Sequence, residues 1–159
     1  DALPTTRPAM PSQALSGTRI LVVDDDPAVV DAMRALFWSW NAIAAGGDTA
    51  GSALAALAAT EGASRRGVDL IIADLRLANG ASGIAAIAEL RSRVGIETPA
   101  LIVSGDTSAA ARTEVESAGI RLLLKPVVAA TLREAAAAAL LGRTPHRSTQ
   151  RSRAKAGVA

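Results

Sequence analysis

The chain contains no cysteine and no tyrosine, and only one histidine (His146), one phenylalanine and two tryptophans. Without cysteine there is no disulfide scaffold, no thiol nucleophile and no thiolate zinc site. A single histidine argues against a His-rich metal site and against a Ser-His-Asp triad. No apolar run approaches the roughly 18 residues that span a bilayer. Residues 1–17 hold no apolar core of a secretory signal. Alanine is what the chain has in excess, 37 of 159 residues, so the 50% apolar fraction overstates its bulky core. The length is that of one domain.

The net charge of +2 and the pI near 9.9 hint at nucleic acid, but the charge is unevenly placed. From residue 142 onward there are five cations (Arg143, Arg147, Arg151, Arg153, Lys155) and no acid. Asp1 and Arg7 cancel in residues 1–17, which leaves 11 cations and 14 acids, or −3, in residues 18–141. The 142–159 tail has almost no bulky apolar residue to offset the entropy of ordering and is expected to be a basic, disordered segment. Five cations without aromatics or a folded reader predict no specific nucleic-acid binding. Residues 1–17, with three prolines between Leu3 and Pro11, read as a linker.

Between these ends, short apolar runs alternate with Ala-rich segments of helical periodicity. The runs are Arg19–Val23, Asn41–Ala45, Asp69–Ala73, Pro99–Val103 and Arg121–Leu124. The second is weak and is expected to stop at Gly46-Gly47. Helices are expected after Asp26-Pro27 (Asp as N-cap, Pro in the first turn), then over Thr49–Thr60, Ile84–Val94, Thr107–Ala118 and Ala130–Leu141. Five strands and five helices in strict alternation indicate an α/β domain built of βαβ units around a parallel sheet. In such open sheets the site lies at the carboxyl ends of the strands.

The expected first strand ends in Asp24-Asp25-Asp26, the third in Asp74, the fourth in Ser104, the fifth in Lys125-Pro126. Each alone has an ordinary explanation: a helix cap, a solvated loop, a turn. Together they bring carboxylates, a hydroxyl and an ammonium to one edge. Carboxylates within about 4 Å repel by roughly 4 kcal/mol per pair at an effective dielectric near 20. A hard divalent cation held by oxygen would neutralise them, and Mg²⁺ typically takes one or two carboxylates plus phosphate oxygens. An aspartate can itself become an aspartyl phosphate, and phosphoryl transfer needs mainly positioning and charge neutralisation. Lys125 is one of two lysines beside 15 arginines, which makes a compact ammonium at this place pointed.

The segments ILVVDDDP, DLIIADLRLANGASG, ALIVSGD and LLLKPV together resemble the receiver domain of bacterial two-component response regulators, over residues 18–141. That resemblance implies a flavodoxin-like (βα)5 fold with a doubly wound, five-stranded parallel sheet, cytoplasmic and phosphorylated on one aspartate with Mg²⁺ (or Mn²⁺). The phosphodonor would be a histidine kinase or a histidine phosphotransfer domain. Matched residue by residue, Asp74 is the phosphoacceptor, Asp25 a direct metal ligand, Asp24 an acid acting mostly through water, and the backbone carbonyl of Arg76 a further ligand. Ser104 corresponds to the switch hydroxyl, Lys125 to the lysine that contacts the phosphoryl group, and the bond to Pro126 is usually cis. An output partner would bind the face of the fourth helix, fifth strand and fifth helix.

Three features depart from that pattern, the last of them a pair of residues. Leu122 replaces the switch aromatic, and Ala78 replaces a common proline and is expected to loosen its loop. Arg76 and Asp106, each two residues past a site residue, are expected to pair across the site mouth and tune water access. The Gly-Asp-Thr after Ser104, with no aromatic before Lys125, is most similar to receivers at the C-terminus of hybrid sensor histidine kinases. On that reading the Pro-rich start is a linker, and a chain opening on Asp without Met is a segment of a longer protein. A stand-alone response regulator is the alternative. A haloacid dehalogenase-like phosphatase could use Asp24, Asp26, Ser104 and Lys125, but it leaves Asp74 idle and lacks a later acidic pair. A flavin domain of the same fold would want a phosphate-cradling loop where DDDP stands.

Overall fold

The computed structural model describes residues 11–61 and 67–142. A helical turn, Pro11–Ala14, precedes β1 (Arg19–Val23), α1 (Pro27–Ser39), β2 (Ile43–Gly47), α2 (Ala50–Glu61) and β3 (Leu70–Asp74). A 3-10 turn (Ala78–Gly80) leads into α3 (Gly83–Val94), and β4 (Ala100–Ser104), α4 (Ala109–Ser117), β5 (Arg121–Leu124) and α5 (Ala129–Leu141) complete the order. The five strands form one sheet in the order β2-β1-β3-β4-β5, and every pairing is parallel. This is the flavodoxin-like (βα)5 architecture.

The sheet is wound on both faces because its strands are apolar on both. Alternate residues Leu21, Val23, Ile71, Ala73 and Ile102 pack with Ala53 and Leu57 of α2, Ile87 and Leu90 of α3, and Val115 of α4. Their neighbours Ile20, Val22, Leu70, Ile72, Leu101, Val103 and Leu123 pack with Val30, Met33 and Phe37 of α1 and Leu132, Ala135 and Ala136 of α5. A strand buried on two faces has no polar alternation, which is why β1 and β3 read as unbroken apolar runs. Phe37, the only phenylalanine, is fully buried and meets the edge of Trp40 with ring centroids 5.4 Å apart.

Two expectations change. Gly46 and Gly47 do not stop β2. They lie within it, in register with Val22 and Val23. A Cβ on Gly46 would collide with the Val22 carbonyl and the Val30 side chain, and one on Gly47 with Ser52, so these glycines serve close packing of α1 and α2 rather than a turn. The stretch taken for linker up to residue 17 is also folded in part. Leu15 is fully buried among α1 and α5 residues, and the Gly17 N–H donates to the Asn41 carbonyl at 2.8 Å. The 142–159 tail lies outside the described residues apart from Gly142, as do residues 1–10. Among the described residues no helix is long and apolar enough to cross a membrane.

Candidate functional site

The strand ends meet at the carboxyl edge of the sheet. The Asp24 N–H donates to the Gly47 carbonyl at 3.1 Å, which extends the β1–β2 ladder by one residue and fixes the aspartate at the edge. Asp24 Oδ1 then accepts the Asp26 N–H at 2.9 Å, and Asp26 Oδ1 accepts the Ala28 N–H at 2.9 Å. Asp26 is thus the N-cap of α1, with Pro27 in its first turn, and it stands apart from the acids of the site. Asp25, between them, is exposed.

Asp74 is the last residue of β3, paired with Val103 of β4. The α3 N-terminus presses against its main chain: Gly83 donates its N–H to the Leu75 carbonyl at 2.9 Å, and a Cβ on Gly83 would overlap the Asp74 carbonyl. Between them the chain closes on itself, with Leu77 donating to the Ala81 carbonyl at 2.9 Å and an antiparallel bridge between Arg76 and Ser82. The loop containing Ala78 is therefore tied by backbone hydrogen bonds without a proline.

Lys125 follows β5, and its N–H donates to the Ser104 carbonyl at 2.9 Å. The peptide bond to Pro126 is cis. Its Nζ donates to Asp74 Oδ2 at 2.9 Å and to Asp24 Oδ2 at 3.3 Å. Burial works against the lysine's charge, but the hydrogen bond to Asp74 and the attraction of both carboxylates outweigh it and hold its pKa above the ordinary value. Asp24 is 3% exposed. Desolvation by burial pushes its carboxyl up, and the Coulombic effect of Asp74 adds to this, against the Asp26 N–H and Lys125, which pull it down.

Asp24, Asp25 and Asp74 each place one carboxylate oxygen within 4.8 Å of the others. Three oxygens around one centre, with a single ammonium to offset them, suit a hard divalent cation and not a soft one. The donor set thus fits Mg²⁺ or Mn²⁺. Ser104 is 2% exposed, and its Oγ accepts the Asp106 N–H at 3.0 Å. Leu122 is half-buried against the core face of α2–α4, and as an aliphatic chain it has no ring to swing.

Arg76 departs in part from expectation. Its N–H donates to Asp74 Oδ1 at 3.3 Å, while its Nη2 lies 4.0 Å from Asp106 Oδ2. The shorter contact is with Glu114 of α4, where Nη2 donates to Oε2 at 3.0 Å. Glu114 was not readable in the sequence, because a lone glutamate on a polar helix carries no signal of its own, and the structure leaves it half-buried. Hydrogen bonds from Ser108 to the Asp106 carboxylate lower the latter's pKa, and the Arg76 charge adds to this.

Residues 20–137 match the response regulator receiver domain family. A response regulator receiver protein from Pseudomonas putida is 30% identical, over 76% of this chain and 95% of that one, with a TM-score of 0.60. A receiver domain protein from Clostridium thermocellum (20% identity, 78% and 94% covered, TM-score 0.63) and the chemotaxis protein CheY4 of Vibrio cholerae (21%, 79% and 100%, 0.64) share the fold. No curated protein sequence matches the chain. The chain belongs to the response regulator receiver domain family of two-component signalling. Receiver domains take phosphate from histidine kinases or phosphotransfer proteins and generally bind Mg²⁺ in an acidic pocket.

Proposed function

We propose that this domain accepts a phosphoryl group on Asp74 from a phosphohistidine donor. The observation that carries the reading is the meeting of Asp74 and Asp24 on one lysine, Lys125 Nζ, at 2.9 and 3.3 Å, with Asp25 alongside. An Asp74 carboxylate oxygen attacks phosphorus as the bond to the donor imidazole nitrogen breaks. A carboxylate–phosphoryl anhydride forms, and the histidine leaves neutral after taking a proton from solvent. Lys125, already charged and held at Asp74, contacts a phosphoryl oxygen. Asp24, Asp25, Asp74 and the Arg76 carbonyl would hold a divalent cation, which when bound neutralises phosphoryl oxygen charge. Ser104 Oγ gives up the Asp106 N–H and turns its hydroxyl toward the phosphoryl group.

Modification then biases a two-state equilibrium of the α4–β5–α5 face, which we assign as the output surface. The setting we propose is the C-terminal receiver of a hybrid sensor histidine kinase, on the cytoplasmic side of the membrane. Leu122 in place of an aromatic and the Gly105-Asp106-Thr107 run support it. The reading frame that encodes the chain tests this setting. The chemistry is tested by incubating the protein with acetyl phosphate and Mg²⁺ and reading intact mass. One phosphoryl group on the wild type and none on Asp74→Ala is the expected result. Modification that survives the substitution would refute the assignment.

A further inference from the structure

Arg76 touches two parts of the molecule, the candidate site and α4. Its main chain belongs to the site, since its N–H donates to Asp74 Oδ1 at 3.3 Å. Its guanidinium ends on α4, 3.0 Å from Glu114 Oε2, and faces Asp106 at 4.0 Å. Asp106 in turn donates its N–H to the Ser104 hydroxyl at 3.0 Å, and its Oδ1 accepts the N–H of Ser108 at 2.9 Å. Ser108 is the N-cap of α4, accepting from Ala111. Acceptor loop, switch hydroxyl and α4 are thus joined through one arginine, in a domain where Leu122 supplies no ring for that task.

We propose that the Arg76–Glu114 pair is the phosphorylation-sensitive coupling between Asp74 and α4. The inference rests on Asp74 being the phosphoacceptor. In the unmodified domain the pair holds α4 against the β3–α3 loop. A phosphoryl group on Asp74 adds a dianion two residues from Arg76, and a guanidinium binds phosphoryl oxygens through paired hydrogen bonds. The pair being displaced is exposed, with Arg76 56% and Glu114 39% accessible, so it is weak and readily exchanged. When Ser104 turns away, Asp106 loses its hold on the hydroxyl at the same moment. Both changes release α4. Arg76 is here a positioning residue, and the charge added at Asp74 is what moves it.

The test follows amide hydrogen exchange of α4 (Ala109–Ser117) with and without beryllofluoride plus Mg²⁺, in the wild type, Arg76→Ala, Arg76→Lys and Glu114→Gln. In the wild type, beryllofluoride should speed α4 exchange by about two- to fivefold, the size an exposed ion pair supports. Arg76→Ala and Glu114→Gln should exchange at that faster rate without beryllofluoride and gain little on adding it. Arg76→Lys, which keeps the charge, should restore part of the difference. If the wild type binds beryllofluoride while both charge-removing variants keep its α4 rates in the two states, the coupling is overturned and the phosphoacceptor reading stands. If the wild type binds none at Asp74, that reading falls and the coupling falls with it.

Discussion

Lys125 and Asp74 sit at the ends of strands that are not neighbours, with β4 between them, yet Nζ and Oδ2 are 2.9 Å apart. The lysine spans the edge of β4 and holds Asp74 and Asp24 at once, so its removal leaves two carboxylates facing each other. A hydrogen bond to a charged group contributes about 1.5–3 kcal/mol. Lys125→Ala is expected to lower stability in the absence of divalent cation by about that amount, measured by urea unfolding. It should also slow phosphorylation by acetyl phosphate. Lys125→Arg should rescue neither fully, because a planar fork does not replace a compact ammonium.

Asp24 gives the metal-free domain a pH dependence of definite sign. Its folded carboxyl titrates above the ordinary carboxylate value of the unfolded chain because burial disfavours the charge. As pH rises through the window between the two values, the unfolded chain gives up its proton while the folded one keeps it. Stability therefore falls with rising pH in that window and stays lower above it. Asp24→Asn keeps an oxygen for the Asp26 N–H and removes the charge. It should unfold at higher urea than the wild type at neutral pH without metal, and the two should converge in acid.

Divalent cation should reverse the order of those two proteins. A ligand that binds only the folded state at about 100 times its Kd stabilises by about 2.7 kcal/mol. Thermal unfolding with added Mg²⁺ should show a rise in Tm for the wild type, a smaller rise for Asp24→Asn, and the largest loss of the effect in Asp25→Asn. Asp26→Asn should leave the Mg²⁺ response intact, since Asp26 caps α1 rather than joining the acid cluster.

Gly83 and Gly51 form a matched pair. A Cβ at Gly83 would overlap the Asp74 main chain, whereas one at Gly51 meets nothing within 4 Å. Gly51→Ala is expected to stabilise by up to about 1 kcal/mol through helix propensity. Gly83→Ala should destabilise by about 1–3 kcal/mol, as overpacking does. It should also slow phosphorylation beyond what its unfolded fraction explains, because the main chain it displaces is that of Asp74. Urea unfolding combined with acetyl phosphate kinetics separates the two effects.

The fold was legible where burial on both faces of the sheet wrote continuous apolar runs, as in ILVV and LIIA, and where Asp26-Pro27 announced a helix start. Gly46-Gly47 misled because glycine signals a turn and a tight packing contact equally well in sequence. Leu15 was hidden because one apolar residue among Pro, Ser and Gly makes no periodic pattern. At the site, Asp24, Asp74 and Lys125 were readable because parallel strands deliver their last residues to one edge. Arg76 was readable by its place two residues after Asp74, but Glu114, 38 positions away, was not. Only folding brings α4 beside the β3–α3 loop.

The central claim is that Asp74 takes the phosphoryl group. The direct measurement is transfer from a phosphorylated histidine donor protein in the presence of Mg²⁺, followed by borohydride reduction and peptide mapping. The expected result is a single modified residue at position 74, lost when Mg²⁺ is chelated and absent in Asp74→Ala. Modification at Asp24, Asp25 or Ser104, or at position 74 with no need for a divalent cation, would contradict it.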